Sequence, residues 1–123
     1  MKVIKSNTVT PTTLTSTDVP ENDETEWDTS TNYHLGDKAM VTTTANGAAT
    51  ATHKIYESVH SQSNNDPTID DGTNWTEVSS TNRFKMFNDV VQEQTTQANI
   101  IDVTITPAVV TTALAAINVD CAS

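Results

Sequence analysis

The sequence predicts a mainly β protein with a modest core. Threonine makes up about a fifth of the 123 residues, and this β-branched residue favours extended, half-buried positions over helix. Hydrophobic residues account for only 35% of the chain, less than the ~45–50% usual in globular domains, a share that also counts glycine. Every Trp, Tyr and Phe lies within residues 27–88. Because aromatic side chains bury the most area per residue, the core is expected there.

Residues 1–26 are expected to form an extended arm. Their apolar residues alternate only weakly, Pro11 and Pro20 interrupt them, and the acidic run ENDETE ends the segment. The short run KVI near the start is a candidate edge strand. An arm with so little apolar surface cannot fold back into a core of its own. It is therefore either disordered when alone or laid across a partner.

Residues 27–88 are expected to form a small antiparallel β domain of short strands and polar turns. Gly36 and Asp37 predict a tight turn before the strand KAMVTTT, and Asn46–Gly47 is the strongest short hairpin signal. ATHKIYESV, NWTEVS and RFKMF complete the set of strands, with a long loop of turn-forming residues before NWTEVS. The frequent Thr, Asn and Gly disfavour a helix. Core positions are expected at Phe84, Met86 and Phe87.

Residues 89–123 change character. DVVQEQTTQ is a polar connector, and NIIDVTITP alternates as a strand does. The run that follows, AVVTTALAAINVD, fits either a helix, with Pro107 at its first position after a Thr106 cap, or a strand, which we favour from the resemblance below. A single strand cannot form a stable sheet. This region is thus expected to begin a β-sandwich or to complete its sheet with another chain.

The charge balance excludes several classes of partner. Sixteen acidic residues against six basic ones give a net charge of −10. Nucleic-acid binding depends on Lys and Arg that neutralise phosphates, so no nucleic-acid ligand is expected, and an anionic membrane surface is disfavoured for the same reason. No apolar run is long enough for membrane insertion. Cys121, the lone cysteine, cannot form an intrachain disulfide, which is consistent with synthesis in a reducing compartment.

The middle region resembles small carbohydrate-binding modules of the chitin-binding type. The resemblance lies in the pattern W-x5-Y-x2-G-D, then I-Y-E-S, then N-N-D-P, and then a second tryptophan. The matching positions are Trp27, Tyr33, Gly36, Asp37, Tyr56, Asn65, Pro67 and Trp75.

A second resemblance covers essentially the whole chain. TNRFKMFND, together with the opening TVTPTTLTSTDVPE, is similar to a family of virion proteins from the tails or baseplates of tailed bacteriophages. In that family an extended N-terminal segment precedes a WxxxxxYxxGD domain, and an NRW/FxMFD motif and β-sandwich material follow. This chain departs from the pattern at Phe84, where the family usually has Trp, and at Asn88, where it usually has Asp. The resemblance marks Asn82, Arg83, Phe84 and Phe87 as structural motif residues.

Trp27, Tyr33, Tyr56 and Trp75 have two interpretations. They are either a platform on which sugar rings stack or the core of a domain with few other large residues. Burying an aromatic side chain stabilises a protein far more than exposing it. We therefore expect a core, and exposure of the rings on one face would favour the sugar platform.

The remaining polar residues predict structural roles. Arg83 is expected to pair with Asp37 or Glu77 and to fix the turn before RFKMF. The acidic loop NNDPTIDDG lacks the spacing of a calcium-binding loop, so it is expected to be solvated. The three histidines show no zinc-ligand spacing and are expected at the surface. We expect no metal, no cofactor and no catalytic residues.

Together these observations predict a structural protein of a tailed-phage tail, baseplate or fibre-anchoring region rather than an enzyme. Its partners would be other copies of itself and other virion proteins, and it would be made in the bacterial host cytoplasm before entering the virion. The alternative is a carbohydrate-binding module that contacts a polysaccharide of the host surface.

Overall fold

The computed structural model describes residues 8–110, and within them the protein is mainly β. The predicted fold class is therefore confirmed. The elements are strands β1 (Leu14–Thr17), β2 (Asn32–Tyr33), β3 (Lys38–Val41), β4 (Lys54–Ser58), β5 (Gln62–Ser63) and β6 (Trp75–Ser80), helix α1 (Asn82–Lys85) and strand β7 (Val103–Ile105). The candidate edge strand KVI, Cys121 and most of AVVTTALAAINVD lie outside the described residues.

A three-stranded antiparallel sheet of order β3–β4–β6 forms the centre of the molecule. Strand β4 is the middle strand, and its neighbouring residues Ile55 and Tyr56 are both buried, although successive side chains of a strand point to opposite faces. Both faces of β4 are therefore covered. Between Ile55 and Tyr56 the register with β6 shifts, because Ile55 lies opposite Ser79 and Tyr56 opposite Glu77.

The aromatic core forms against this sheet, as the sequence predicts. Trp27 and Trp75 are each 2% exposed, and Tyr33 and Tyr56 are also buried. The rings of Tyr33 and Trp75 pack edge to face with centroids 4.9 Å apart, a favourable aromatic geometry. Trp75 Nε1 donates to the Asn65 carbonyl at 2.8 Å. The tryptophans and tyrosines thus join Ala39, Val41 and Ala48 in one cluster.

The turn at Gly36 and Asp37 is also confirmed. Gly36 has φ +86°, a conformation that glycine adopts at low cost, and its N–H donates to the Ser58 carbonyl at 2.8 Å. Asp37 closes the turn with two hydrogen bonds to His34. Its N–H donates to the His34 carbonyl, and its carboxylate accepts the His34 N–H at 2.7 Å.

The Asn46–Gly47 signal predicts the hairpin of β3 and β4 correctly, but the loop that joins the two strands is longer than the two-residue turn that this signal predicts. Strands β3 and β4 pair antiparallel, but residues 42–53 separate them. Gly47, at φ +99°, donates to the Thr44 carbonyl at 3.2 Å and so ends a turn inside this loop. The long loop lets Ala48 reach the aromatic core.

The prediction that RFKMF forms a strand is wrong. Asn82–Lys85 is a single turn of helix, and Phe84, Met86 and Phe87 are half-buried beside it rather than in the core. The expectation that Thr and Asn disfavour helix holds for an isolated segment. Here contacts from the distant acidic run at residues 21–26 stabilise the helix.

The C-terminal strand finds its partner within the chain, which corrects the expectation of a missing partner. β7 pairs antiparallel with β1 of the N-terminal arm, and Ser16 lies opposite Thr104 and Thr17 opposite Val103. The two strands form a separate two-stranded sheet, here called the ribbon. Thr15 and Thr106 join their hydroxyl groups across it at 2.8 Å.

The second half of the arm packs on the middle region. Val19 is fully buried, and residues 25–27 run along the outer edge of β3. There Met40 N–H donates to the Thr25 carbonyl at 3.0 Å, and Trp27 N–H donates to the Met40 carbonyl at 2.8 Å. The arm is thus laid across its own domain from residue 18 onward, an alternative that the sequence did not suggest.

Burial of both tryptophans predicts that their fluorescence resists quenching in the native protein. Acrylamide should quench the native emission weakly and the emission in urea strongly, because unfolding exposes both indoles. The matched control is Leu35→Trp, since Leu35 is 73% exposed and the added indole should be quenched freely. Equal quenching of native and unfolded wild-type protein would contradict the core assignment.

Candidate functional site

A polar network joins the acidic run at residues 21–26 to strand β4 and helix α1. Glu21 is its centre. One carboxylate oxygen, Oε1, lies 2.8 Å from Nδ1 of His53 and accepts the Thr81 hydroxyl at 2.5 Å, and the other, Oε2, lies 3.1 Å from Nη1 of Arg83. Arg83 also donates from Nε to the Val19 carbonyl at 3.1 Å. One carboxylate therefore binds three side chains, one from the segment just before β4 and two at the start of helix α1.

The local backbone explains how His53 reaches this network. His53 directly precedes β4 and has φ +53°, a conformation uncommon for residues other than glycine. Its carbonyl accepts the N–H of the buried Thr81 at 3.0 Å, and its ring packs on Phe84 with centroids 4.6 Å apart. Such backbone strain persists only where surrounding contacts enforce it, and these contacts do so.

The electrostatics of Glu21 favour its charged form. Its side chain is only 6% exposed, and burial by itself raises the pKa of the carboxyl. Hydrogen bonds with His53 and Thr81 and the charge interactions with His53 and Arg83 outweigh that effect. The pKa of Glu21 is consequently held below its ordinary value of 4.5.

Asp23, two residues further on, binds the start of helix α1. The N-cap residue Thr81 makes no side-chain capping bond, and the first N–H groups of a helix need partners from outside. The Asp23 carboxylate accepts the Asn82 N–H at 3.0 Å and lies 3.5 Å from Lys85 Nζ. Asp23 therefore caps the helix from a distant part of the chain.

Glu26 binds the loop after β3. Its carboxylate accepts the N–H of Thr42 at 2.7 Å, the Thr42 hydroxyl at 2.8 Å and the N–H of Thr43 at 3.0 Å. Three carboxylates of the acidic run thus contact three separate parts of the domain. We call this set of Glu21, Asp23 and Glu26 the carboxylate clamp.

Asn82 connects the helix to the polar segment that follows it. Its amide donates to the Thr96 carbonyl at 2.8 Å and accepts the Thr96 N–H at 2.8 Å, while its own carbonyl accepts the Thr95 hydroxyl at 2.6 Å. Phe84 and Phe87 lie beside it with ring centroids 6.3 Å apart. Asn82 therefore holds the connector at Thr95 and Thr96 against helix α1.

A shallow groove lies between β1 and helix α1, above the clamp. It has a volume of about 290 Å³, and Pro11, Leu14, Thr15, Ser16, Thr17, His53, Arg83 and Phe84 line it. The groove is open to solvent, and its two ionisable residues, His53 and Arg83, are already bound to Glu21. Residues of the N-terminal arm line one side of the groove and residues of the domain line the other, as expected where the arm contacts the domain.

The acidic loop uses its carboxylates on its own backbone. Asp70 accepts the N–H groups of Gly72, Asn74 and Trp75 at 2.9, 3.0 and 3.1 Å, and the Asn74 amide at 2.6 Å. Burial raises the pKa of Asp70, but these hydrogen bonds outweigh it and lower the pKa below 3.8. Within residues 8–110, no three His, Cys, Asp or Glu side chains are grouped as metal ligands.

The sequence located some site residues correctly and missed others. The predicted pairing of Arg83 with Asp37 or Glu77 is wrong, because Arg83 binds Glu21 while Glu77 binds Lys54 at 2.6 Å. His34 and His60 are exposed as expected, but His53 is not. Glu21, His53 and Thr81 were not identified as a group. The only sequence signal was the acidic run itself, which does not specify its partners.

Comparison of the chain with protein-family models, with curated proteins and with solved structures found no match. In the part of the chain that the structure describes, no helix has the length and apolar character needed to cross a membrane.

Substitution Glu21→Gln should destabilise the protein by about 1.5–3 kcal/mol, since hydrogen bonds to a charged group contribute about that much. The matched control is Glu24→Gln, in the same acidic run but outside the clamp, and it should change stability by less than about 0.5 kcal/mol. Urea unfolding measures both. Equal effects of the two substitutions would contradict a specific role for Glu21.

Acid should release the contribution of Glu21. Because its folded pKa is lowered, the stabilisation is fully present above the unfolded pKa and is lost as the pH falls through the folded value. The stability gap between wild type and Glu21→Gln should therefore be complete above the unfolded pKa of 4.5 and should shrink as the pH falls below that value. Urea unfolding at several pH values tests this, and a gap independent of pH would refute the assignment.

Proposed function

We propose that this chain is a structural component of a tailed-phage virion, in the tail, baseplate or fibre-anchoring region, and that it acts by protein–protein assembly. The proposal starts from the resemblance of TNRFKMFND and the N-terminal segment to such virion proteins. The observation that carries it is a concentration of exposed apolar side chains in one part of the chain.

Six of the ten exposed large apolar side chains within residues 8–110 lie at residues 90–110. Among them, Ile100 is 74% and Val110 is 92% exposed. The six form three pairs of sequence neighbours, Val90–Val91, Ile100–Ile101 and Val109–Val110, and clustered exposed apolar side chains are typical of sites that bind other proteins. Covering this apolar surface would gain roughly 25 cal/mol per Å². The segment after the domain therefore suits contact with another chain.

The clamp supports the same role. Glu21, Asp23 and Glu26 hold the acidic run on the domain, and Asn82 holds Thr95 and Thr96 beside helix α1, so the N-terminal and C-terminal segments leave the domain from fixed positions. Fixed exit points for two extended segments are useful in a protein that connects neighbours, because extended chains add to the sheet edges of partners.

The alternative, a carbohydrate-binding module, depends on exposed aromatic rings. Trp27 and Trp75 are each 2% exposed, and Tyr33 and Tyr56 are also buried. Their faces therefore do not present a stacking surface, which favours the structural role.

The proposal predicts that the chain is retained in assembled particles. Phage particles induced from the strain that carries the gene would be purified on a density gradient, washed in high salt and analysed by quantitative mass spectrometry. Several copies of the chain per particle are expected, and an abundant host cytoplasmic protein serves as the washed-out control. Absence of the chain from washed particles would overturn the proposal, and retention of the free protein on host polysaccharide would favour the alternative.

A further inference from the structure

The ribbon of β1 and β7 carries a self-complementary sheet edge. A two-stranded sheet is marginally stable by itself in water and gains from further strands. The ribbon forms no ladder with the three-stranded sheet among the described residues. Its burial is also incomplete, since Ser16 and Thr104 are exposed and Leu14, Val103 and Ile105 are half-buried.

The hydrogen bonds show which backbone groups of β7 face outward. The Asp102 carbonyl accepts the Asp18 N–H at 3.3 Å, and the Thr106 N–H donates to the Thr13 carbonyl at 2.8 Å. In an antiparallel ladder, backbone groups of successive residues face alternate sides. Residues 102, 104 and 106 therefore face β1, and the N–H and C=O groups of Val103 and Ile105 face the outer edge.

The two edges of the ribbon differ. β1 contains a register irregularity between Leu14 and Ser16, and bulges are a common protection against edge pairing. β7 is regular and has no charged residue. In the three-stranded sheet, by contrast, every strand carries a charge, at Lys38, Lys54, Glu57 and Glu77, and residues 25–27 cover the outer edge of β3. The edge of β7 is therefore the one suited to pairing.

We propose that β7 pairs antiparallel with β7 of a second copy of this chain, about a two-fold axis at Thr104. In this register Val103 of one copy lies opposite Ile105 of the other, so that their outward backbone groups form hydrogen bonds on both sides of the axis. Ile101 lies opposite Pro107, which places an apolar residue against an apolar residue. Such an isologous contact is the commonest kind in homodimers.

Charge favours this surface over others on a chain of net charge −10. The nearest charged residue of the pairing segment is Asp102, which the register places opposite Thr106. Four residues separate it along the strand from its symmetry mate, a distance of about 14 Å at 3.4 Å per residue. This exceeds the Debye length of about 8 Å at physiological ionic strength, so the two carboxylates repel each other weakly.

The register specifies a cross-linking test. Thr104 faces its own copy in a pair without hydrogen bonds, where Cα atoms lie about 4.5 Å apart, within the range that a disulfide bridges. Thr104→Cys in a Cys121→Ser background should form a disulfide-linked dimer under mild oxidation. The control is Thr50→Cys in the same background, an exposed loop position, which should remain monomeric on a non-reducing gel.

A second variant tests the same edge without oxidation. Thr104→Glu places two like charges against each other at the axis and should weaken dimerisation by about tenfold or more in analytical ultracentrifugation. Thr50→Glu adds the same charge and should leave the dimer unchanged. A wild-type chain that stays monomeric at high concentration would overturn the inference. So would a dimer that Thr104→Glu leaves intact.

This inference rests on the proposed assembly role but fails separately from it. If washed particles contain the chain while the Thr104 variants show no pairing, assembly proceeds through another surface and only the β7 inference is wrong. If the chain pairs through β7 but is absent from particles, the virion role is wrong and the self-association stands.

Discussion

The Glu21 carboxylate is the interaction on which the arrangement of this protein depends. It binds His53 before β4 and Thr81 and Arg83 at the helix, so that one buried charge fixes the relative positions of three chain segments. Removing one partner from a buried charged network is strongly unfavourable. In a chain with only 35% hydrophobic residues, such a network fixes positions that a larger apolar core would otherwise determine.

The acidic composition has a second structural use. Asp28, Asp66, Asp70 and Asp71 each accept the backbone N–H two residues further on, from Ser30, Thr68, Gly72 and Thr73 respectively. Asp side chains stabilise turns in this way by imitating a backbone turn. In Asp28 the hydrogen bonds from Ser30 lower the pKa of the carboxyl below 3.8. These four carboxylates therefore stabilise loops of the protein in addition to making its surface negatively charged.

Local patterns in the sequence were sufficient for features with local causes. The aromatic core at Trp27 and Trp75 followed from the scarcity of other large residues, and the turn at Gly36 followed from the conformational freedom of glycine. Pairings between distant residues were not predictable. Glu21 and Arg83 are 62 positions apart, and a run of six residues with four carboxylates does not indicate which cation each one meets. Helix α1 was missed for the same reason, because its capping group, Asp23, is far away in sequence.

The clamp and the ribbon are mechanically connected. The buried Val19 and the carboxylate of Glu21 anchor the arm immediately after β1, and Asp18 binds the backbone N–H of Asp102 at 2.8 Å immediately before β7. β1 therefore ends just before the anchored residues Val19 and Glu21, and β7 begins just after Asp102, which Asp18 binds. Because the entropy cost of loop closure grows only with the logarithm of loop length, β1 and β7 can pair although 88 positions separate Ser16 from Thr104. The clamp and Val19 thus hold the chain immediately after β1, and the bond between Asp18 and Asp102 joins that point to the start of β7.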